Sequence, residues 1–95
     1  MKTSSDNRRI LKTPRFSRDV KKFSLDVQKE AFEVAQKLGK DIFDSSLNIK
    51  RMVGLKGTYR VVILIDYRMI FSFDKENVYL LRIGHRREIY RNLEL

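Results

Sequence analysis

Apolar residues recur along this chain with two different periods, and the period changes once. In the first forty or so residues the spacing is helical. Phe16, Val20 and Phe23 fall at i, i+4 and i+7, and Val27, Ala31, Val34, Ala35 and Leu38 line one face of a second helical stretch. Thr13 and Ser24 suit the two N-caps, and Pro14 suits the first helical position, where its missing N–H has no intrahelical partner anyway. Gly39 reads as the residue that ends the second helix. Ahead of this hairpin, residues 8–12 predict a short strand carrying Ile10 and Leu11. Residues 41–58 read as a connector pinned to the core by Ile42, Phe43 and Leu47, and Phe16, Phe23 and Phe32 also read as core. From Tyr59 onward the period is two. Residues 59–64, 68–73 and 78–83 are rich in β-branched and aromatic side chains, with separators short enough for hairpins.

The expected fold class is therefore α+β, in the order β-α-α-β-β-β. An N-terminal strand and an α-helical hairpin precede a three-strand antiparallel meander with a short C-terminal helix or tail. Residues 1–7 are expected to be a poorly ordered tail and 8–95 one domain, since 95 residues support a single core.

Alternation assigns the two faces of the meander. Tyr59, Val61, Ile63, Met69, Phe71, Phe73, Tyr79, Leu81 and Ile83 carry no charge and are expected against the helices. Arg60, Val62, Leu64, Arg68, Ile70, Ser72, Val78, Leu80 and Arg82 then share the open face. Keeping the arginines together requires odd-length loops, 65–67 and 75–77, or a bulge that does the same job.

Composition narrows the partner. Lys+Arg number 21 against 12 Asp+Glu, a formal net charge of +9, which favours a polyanionic partner over a neutral one. Solubility alone is the plainer account of that charge. The chain has no cysteine and one histidine, so it lacks the usual ligands for zinc or a disulfide framework, and no metal or cofactor is expected. Its polar start has no signal-peptide core, and no apolar run approaches the ~18 residues that span a bilayer. A cytoplasmic protein without a membrane partner is expected.

The candidate chemistry lies at the end of the last strand. Arg60, Arg68, Arg82 and Arg86 are expected to converge near one end of the open face, with His85 and Tyr90 just beyond. A guanidinium donates two parallel hydrogen bonds to a phosphate and stabilises a transition state more negative than the starting diester. His85 is a candidate proton donor or acceptor. The bland alternative is a solvated basic sheet edge.

Leu55-Lys56-Gly57, Tyr59-Arg60-Val61, Asp66-Tyr67-Arg68-Met69-Ile70-Phe71 and Ile83-Gly84-His85-Arg86-Arg87-Glu88-Ile89-Tyr90 resemble, in order and spacing, the successive blocks of RelE-type toxins in the RelE/ParE toxin–antitoxin superfamily. The resemblance implies a ribosome-dependent endoribonuclease that cuts mRNA without a metal, by attack of a ribose 2′-hydroxyl on the adjacent phosphate. It also implies a cognate antitoxin that silences the toxin in a hetero-oligomer. By this resemblance Arg60 contacts the phosphate, Arg68 stabilises the transition state, Arg86 assists stabilisation and leaving-group protonation, and Tyr90 is a general base or orienting group. Two positions depart from the family's pattern. Val62 stands where some members carry a second basic residue, which shifts charge neutralisation toward Arg82 or Lys56. His85 stands where the best-known member has lysine, which shifts proton transfer toward His85. Arg87 and Arg91 are expected to dock ribosomal RNA. The rival readings are a ParE-like inhibitor of DNA gyrase that acts by binding, and a non-catalytic RNA-binding module.

Overall fold

The computed structural model describes residues 7–91, 93 and 95. The elements are β1 (Arg9–Lys12), α1 (Pro14–Val20), α2 (Leu25–Lys40), β2 (Ile49–Arg51), β3 (Tyr59–Ile63), β4 (Tyr67–Phe73) and β5 (Asn77–His85). They build one five-stranded sheet in the order β1-β5-β4-β3-β2. β1 runs parallel to β5 and every other pairing is antiparallel. Of the expected N-terminal tail, residues 1–6 lie outside the described residues, and Asn7 is exposed ahead of β1.

Both helices begin as the sequence predicts. The Thr13 hydroxyl accepts the Phe16 N–H at 3.2 Å, and the Ser24 hydroxyl accepts the Val27 N–H at 3.4 Å. Gly39 does not end α2, which continues through Lys40. Its place is fixed by β1 instead: the Arg8 N–H donates to the Gly39 carbonyl at 2.7 Å, and a Cβ at Gly39 would stand 2.9 Å from the Arg8 carbonyl oxygen. The glycine permits helix and strand backbones to touch.

The core joins Phe16, Val20, Val27, Ala31, Val34, Ala35, Leu38 and Ile42 to Val61, Ile63, Met69, Phe71, Val78, Leu80 and Ile83. Phe23 and Phe32 pack against it, half-buried. Phe43 does not join this core. It is 75% exposed and meets only the sheet's rim, its ring edge-on to Phe73 at 6.1 Å. The connector also holds a strand the sequence pattern did not reveal. β2 pairs with β3 through Ile49↔Val61, Lys50↔Arg60 and Arg51↔Tyr59. With three residues and two charges it offers no alternation to read, and those charges suit an edge.

The two hairpins differ. Ile63 pairs with Tyr67 across residues 64–66, an odd loop one position earlier than expected, with Leu64 left-handed at φ 45°. The second loop is even. Phe73 pairs with Val78, and the Asp74 carboxylate collects the Glu76 and Asn77 N–H groups at 2.8 Å each, which tightens the turn. The expected faces are consequently reversed at the start of β5. Val78 and Leu80 are fully buried in the core, while Tyr79 and Leu81 are only half-buried. A bulge then restores the parity: Phe71 pairs with Leu80 and Ile70 with Arg82, leaving Leu81 extra. After β5 the chain makes a turn around the His85 carbonyl, which accepts the N–H groups of Glu88 and Ile89 at 2.9 Å each. No C-terminal helix forms among the described residues.

Candidate anion-binding site

Arg60 and Arg68 lie on the same face of the sheet, because Arg60 pairs with Ile70 while Val62 pairs with Arg68. The turn after β5 brings Arg86, Arg87 and Tyr90 to them. These five side chains line one open cavity of ≈ 490 Å³.

Their hydrogen bonding is uneven. The Nη1 of Arg60 is buried and has no hydrogen-bond partner among the described residues. An orphaned buried donor is costly unless a ligand completes it, and on a guanidinium the fitting ligand is an anion. Arg68 turns its Nη1 back to the hairpin, donating to the carbonyls of Ile65 at 2.8 Å and Tyr67 at 2.9 Å. The Arg86 N–H donates to the Asp66 carbonyl at 2.7 Å, and its Nε stands 3.4 Å from an Asp66 carboxylate oxygen. Both side chains of that pair are about half exposed, so the pair orients Arg86 more than it neutralises it. Tyr90 is exposed, with its ring at the cavity.

Four expected site residues lie elsewhere. His85 pairs with Tyr67 on the helix-facing side, its ring edge-on to Tyr67 at 5.6 Å, and its Nδ1 accepts the Arg87 N–H at 3.1 Å. It lines a different cavity, of ≈ 470 Å³, with Asp19, Lys22, Phe23, Arg82, Ile83, Gly84, Glu88, Ile89 and Arg91. Arg82 shares the register row of Arg60 and Ile70, yet it is drawn to the α1 edge. There Asp19 accepts its Nε at 2.7 Å and its Nη2 at 3.1 Å, together with the Ile83 N–H at 3.1 Å. The bulge at Leu81 sits immediately before it, where Thr13 bonds the Leu80 and Leu81 carbonyls, so α1 meets β5 where β1 has ended. Lys56 belongs to the exposed connector beside Arg51, Met52, Val53 and Gly54. Arg91 is exposed on the His85 side.

Sequence reasoning passed over Asp19 and Asp66. Asp19 had a signal, since it follows Phe16 by three positions on the apolar face of a helix whose other charges are basic and outward. Asp66 had none beyond its place in a turn. Among the described residues, no three His, Cys, Asp or Glu side chains gather to hold a metal.

The chain belongs to the family described as the ParE toxin of the type II toxin–antitoxin system, parDE, whose model matches residues 10–90. The same fold recurs in the RelB–RelE antitoxin–toxin complex of Methanococcus jannaschii, at TM-score 0.73 and 20% identity over 88% of this chain and 99% of that one. It recurs in the RelE–RelB complex of Pyrococcus horikoshii, at TM-score 0.71 and 15% identity over 86% and 98% of the two chains. The RelBE2 toxin–antitoxin complex of Mycobacterium tuberculosis matches at TM-score 0.69 and 22% identity over 86% and 94%. No curated protein matches the sequence. The chain thus has the α+β fold its sequence predicts, shared with RelE toxins. Among the described residues, no helix is long and apolar enough to cross a membrane.

Proposed function

We propose that this toxin is a metal-independent endoribonuclease that cuts mRNA in the ribosomal decoding site, in the cytoplasm, and is neutralised by a cognate antitoxin. The clustering of cations carries the reading, since Arg60, whose buried Nη1 finds no hydrogen-bond partner among the described residues, lines a cavity whose other charged lining is Arg68, Arg86 and Arg87. A phosphodiester matches that cavity in sign. The ribose 2′-hydroxyl attacks the adjacent phosphorus, the bond to the 5′-oxygen breaks, and a cyclic phosphate and a 5′-hydroxyl result. Arg60 and Arg68 receive the negative charge that grows on the phosphoryl oxygens. In this reading Tyr90 orients the 2′-hydroxyl or takes its proton and Arg86 serves the leaving oxygen, and both line the same cavity. His85, on the other side of the sheet's end, is a secondary candidate that would act only after moving. The remaining basic residues, Lys56, Arg82, Arg87 and Arg91 among them, supply a field for ribosomal RNA.

The antitoxin follows from family membership and from relatives crystallised as toxin–antitoxin complexes. An acidic partner suits a chain of net charge +9. A second reading is favoured by the family match itself: a ParE-type toxin that inhibits DNA gyrase by binding. One experiment separates them. The toxin is induced and transcript ends are mapped in translated and untranslated mRNA, with DNA topology followed in parallel. Cuts at codon positions, lost in Arg86→Ala, support the nuclease. Intact transcripts with disturbed topology support gyrase inhibition. If neither appears, a non-catalytic RNA-binding module remains.

A further inference from the structure

We infer that Ile89 and Gly84 form a knob and socket that sets where Arg86, Arg87 and Tyr90 stand relative to Arg60 and Arg68. The inference rests on the anion-site reading and adds two positioning residues to it. Gly84 lies in β5 directly opposite Arg68, and it is buried. A Cβ built on it would stand 3.0 Å from the Ile89 Cδ1, 3.5 Å from its Cβ and 3.7 Å from its Cγ1. The Ile89 side chain, only 7% exposed, therefore occupies the volume that any other residue at position 84 would fill.

What hangs from this contact is the site. Residues 86–91 form turns outside the sheet ladder, held by the His85 carbonyl and by the Arg86 N–H to Asp66. Ile89 is the buried apolar residue of that segment, whereas Arg86, Arg87 and Tyr90 are exposed. A segment with one apolar anchor and otherwise exposed cations takes its position from the anchor. Arg86 is thus fixed twice, by Asp66 at the hairpin tip and by Ile89 over the sheet. The requirement for glycine at position 84 is spatial, since its backbone has no left-handed φ.

The geometry dictates a size-exchange test. Gly84→Ala introduces one tight contact, to the Ile89 Cδ1, while its other distances are ordinary. Ile89→Val deletes that same methyl. Each single variant is expected to lower hydrogen-exchange protection of the Arg86 amide, and affinity for a short oligoribonucleotide, by about three- to tenfold. The double variant is expected to return both to within about twofold of wild type, with the global unfolding midpoint little changed. Losses that add in the double variant, or singles that match wild type, overturn the inference. Should Gly84→Ala fail to fold alone, the gain from Ile89→Val to the double variant decides the matter. Protection that follows the exchange while no protein binds the oligoribonucleotide, wild type included, overturns RNA binding by the free toxin and leaves the knob and socket standing.

Discussion

Arg60 and Arg82 sit in one register row of the sheet, two strands apart, and the fold treats them in opposite ways. Arg82 meets Asp19 through two of its nitrogens, at 2.7 and 3.1 Å, and the same carboxylate takes the Ile83 N–H at the strand's open edge. Arg60 keeps a buried nitrogen with no partner among the described residues, and its side chain lines a cavity walled by further cations. A guanidinium matched by a carboxylate serves the structure. One held without an acceptor among like charges is poised for an anion from outside. The difference lies less in the arginine than in where acidic side chains fall, on α1 for Arg82, whereas among the described residues no carboxylate stands within ion-pair distance of Arg60.

The largest effect on stability should come from breaking the satisfied side. Asp19→Ala removes the carboxylate that accepts from the partly buried Arg82 and from the Ile83 N–H, and a loss of about 1–3 kcal/mol in urea unfolding is expected. An unchanged midpoint would mean that water replaces Asp19, and the contrast between the two arginines would collapse. Arg60→Ala should do the reverse. Stability holds or rises slightly, because an orphaned donor is removed, while codon-position cleavage falls by about 10²–10³-fold, or ~2.7–4 kcal/mol of transition-state stabilisation. Cleavage that survives Arg60→Ala would move the site off this face.

A smaller effect tests the residue that the structure separates from the others. His85→Gln should leave cleavage within about a factor of three, under 1 kcal/mol, because the imidazole stacks edge-on to Tyr67 away from the arginine cavity. A loss as deep as that of Arg86→Ala would mean that the turn rearranges to bring His85 in when RNA binds.

Most of this fold was legible because its signals are local. Thr13-Pro14, Ser24 and the spacing of Phe16, Val20, Ala31 and Leu38 each announce a helix from neighbouring residues alone. What escaped depends on partners distant in sequence. β2 exists only because β3 lies beside it, and Gly39 and Gly84 each answer a residue packed on them from elsewhere. The site shows the same division. Alternation placed Arg60 and Arg68 together, but it placed Arg82 with them and His85 just beyond. The even turn reversed the early part of β5, Leu81 as the unpaired extra residue restored the parity, and Asp19 took Arg82 aside. One even turn, closed by Asp74, was enough to undo a face assignment made by counting in twos.

That turn supplies the mildest prediction, a third polar cluster to set beside the two arginines. Asp74 accepts the Tyr79 hydroxyl at 2.7 Å and the Glu76 and Asn77 amides at 2.8 Å each. The Tyr79 hydrogen bond first, then those of the amides, hold its carboxyl below the ordinary 3.8, and the Asp74 bond in turn raises the Tyr79 phenol above 10.0. The carboxyl is depressed in the folded chain, so its contribution is present above 3.8 and lost as pH falls through the folded value. The phenol is raised, so its contribution is present below 10.0 and lost as pH rises through the folded value. Both groups face solvent, and the effect should therefore stay within the hairpin. Amide exchange at Glu76 and Asn77, corrected for its intrinsic pH dependence, should accelerate on the acid side of 3.8 in the wild type and show no such step in Asp74→Asn. A step that persists in Asp74→Asn would assign it to another carboxyl, such as that of Glu76, and the turn's closure would then owe nothing to the Asp74 carboxylate.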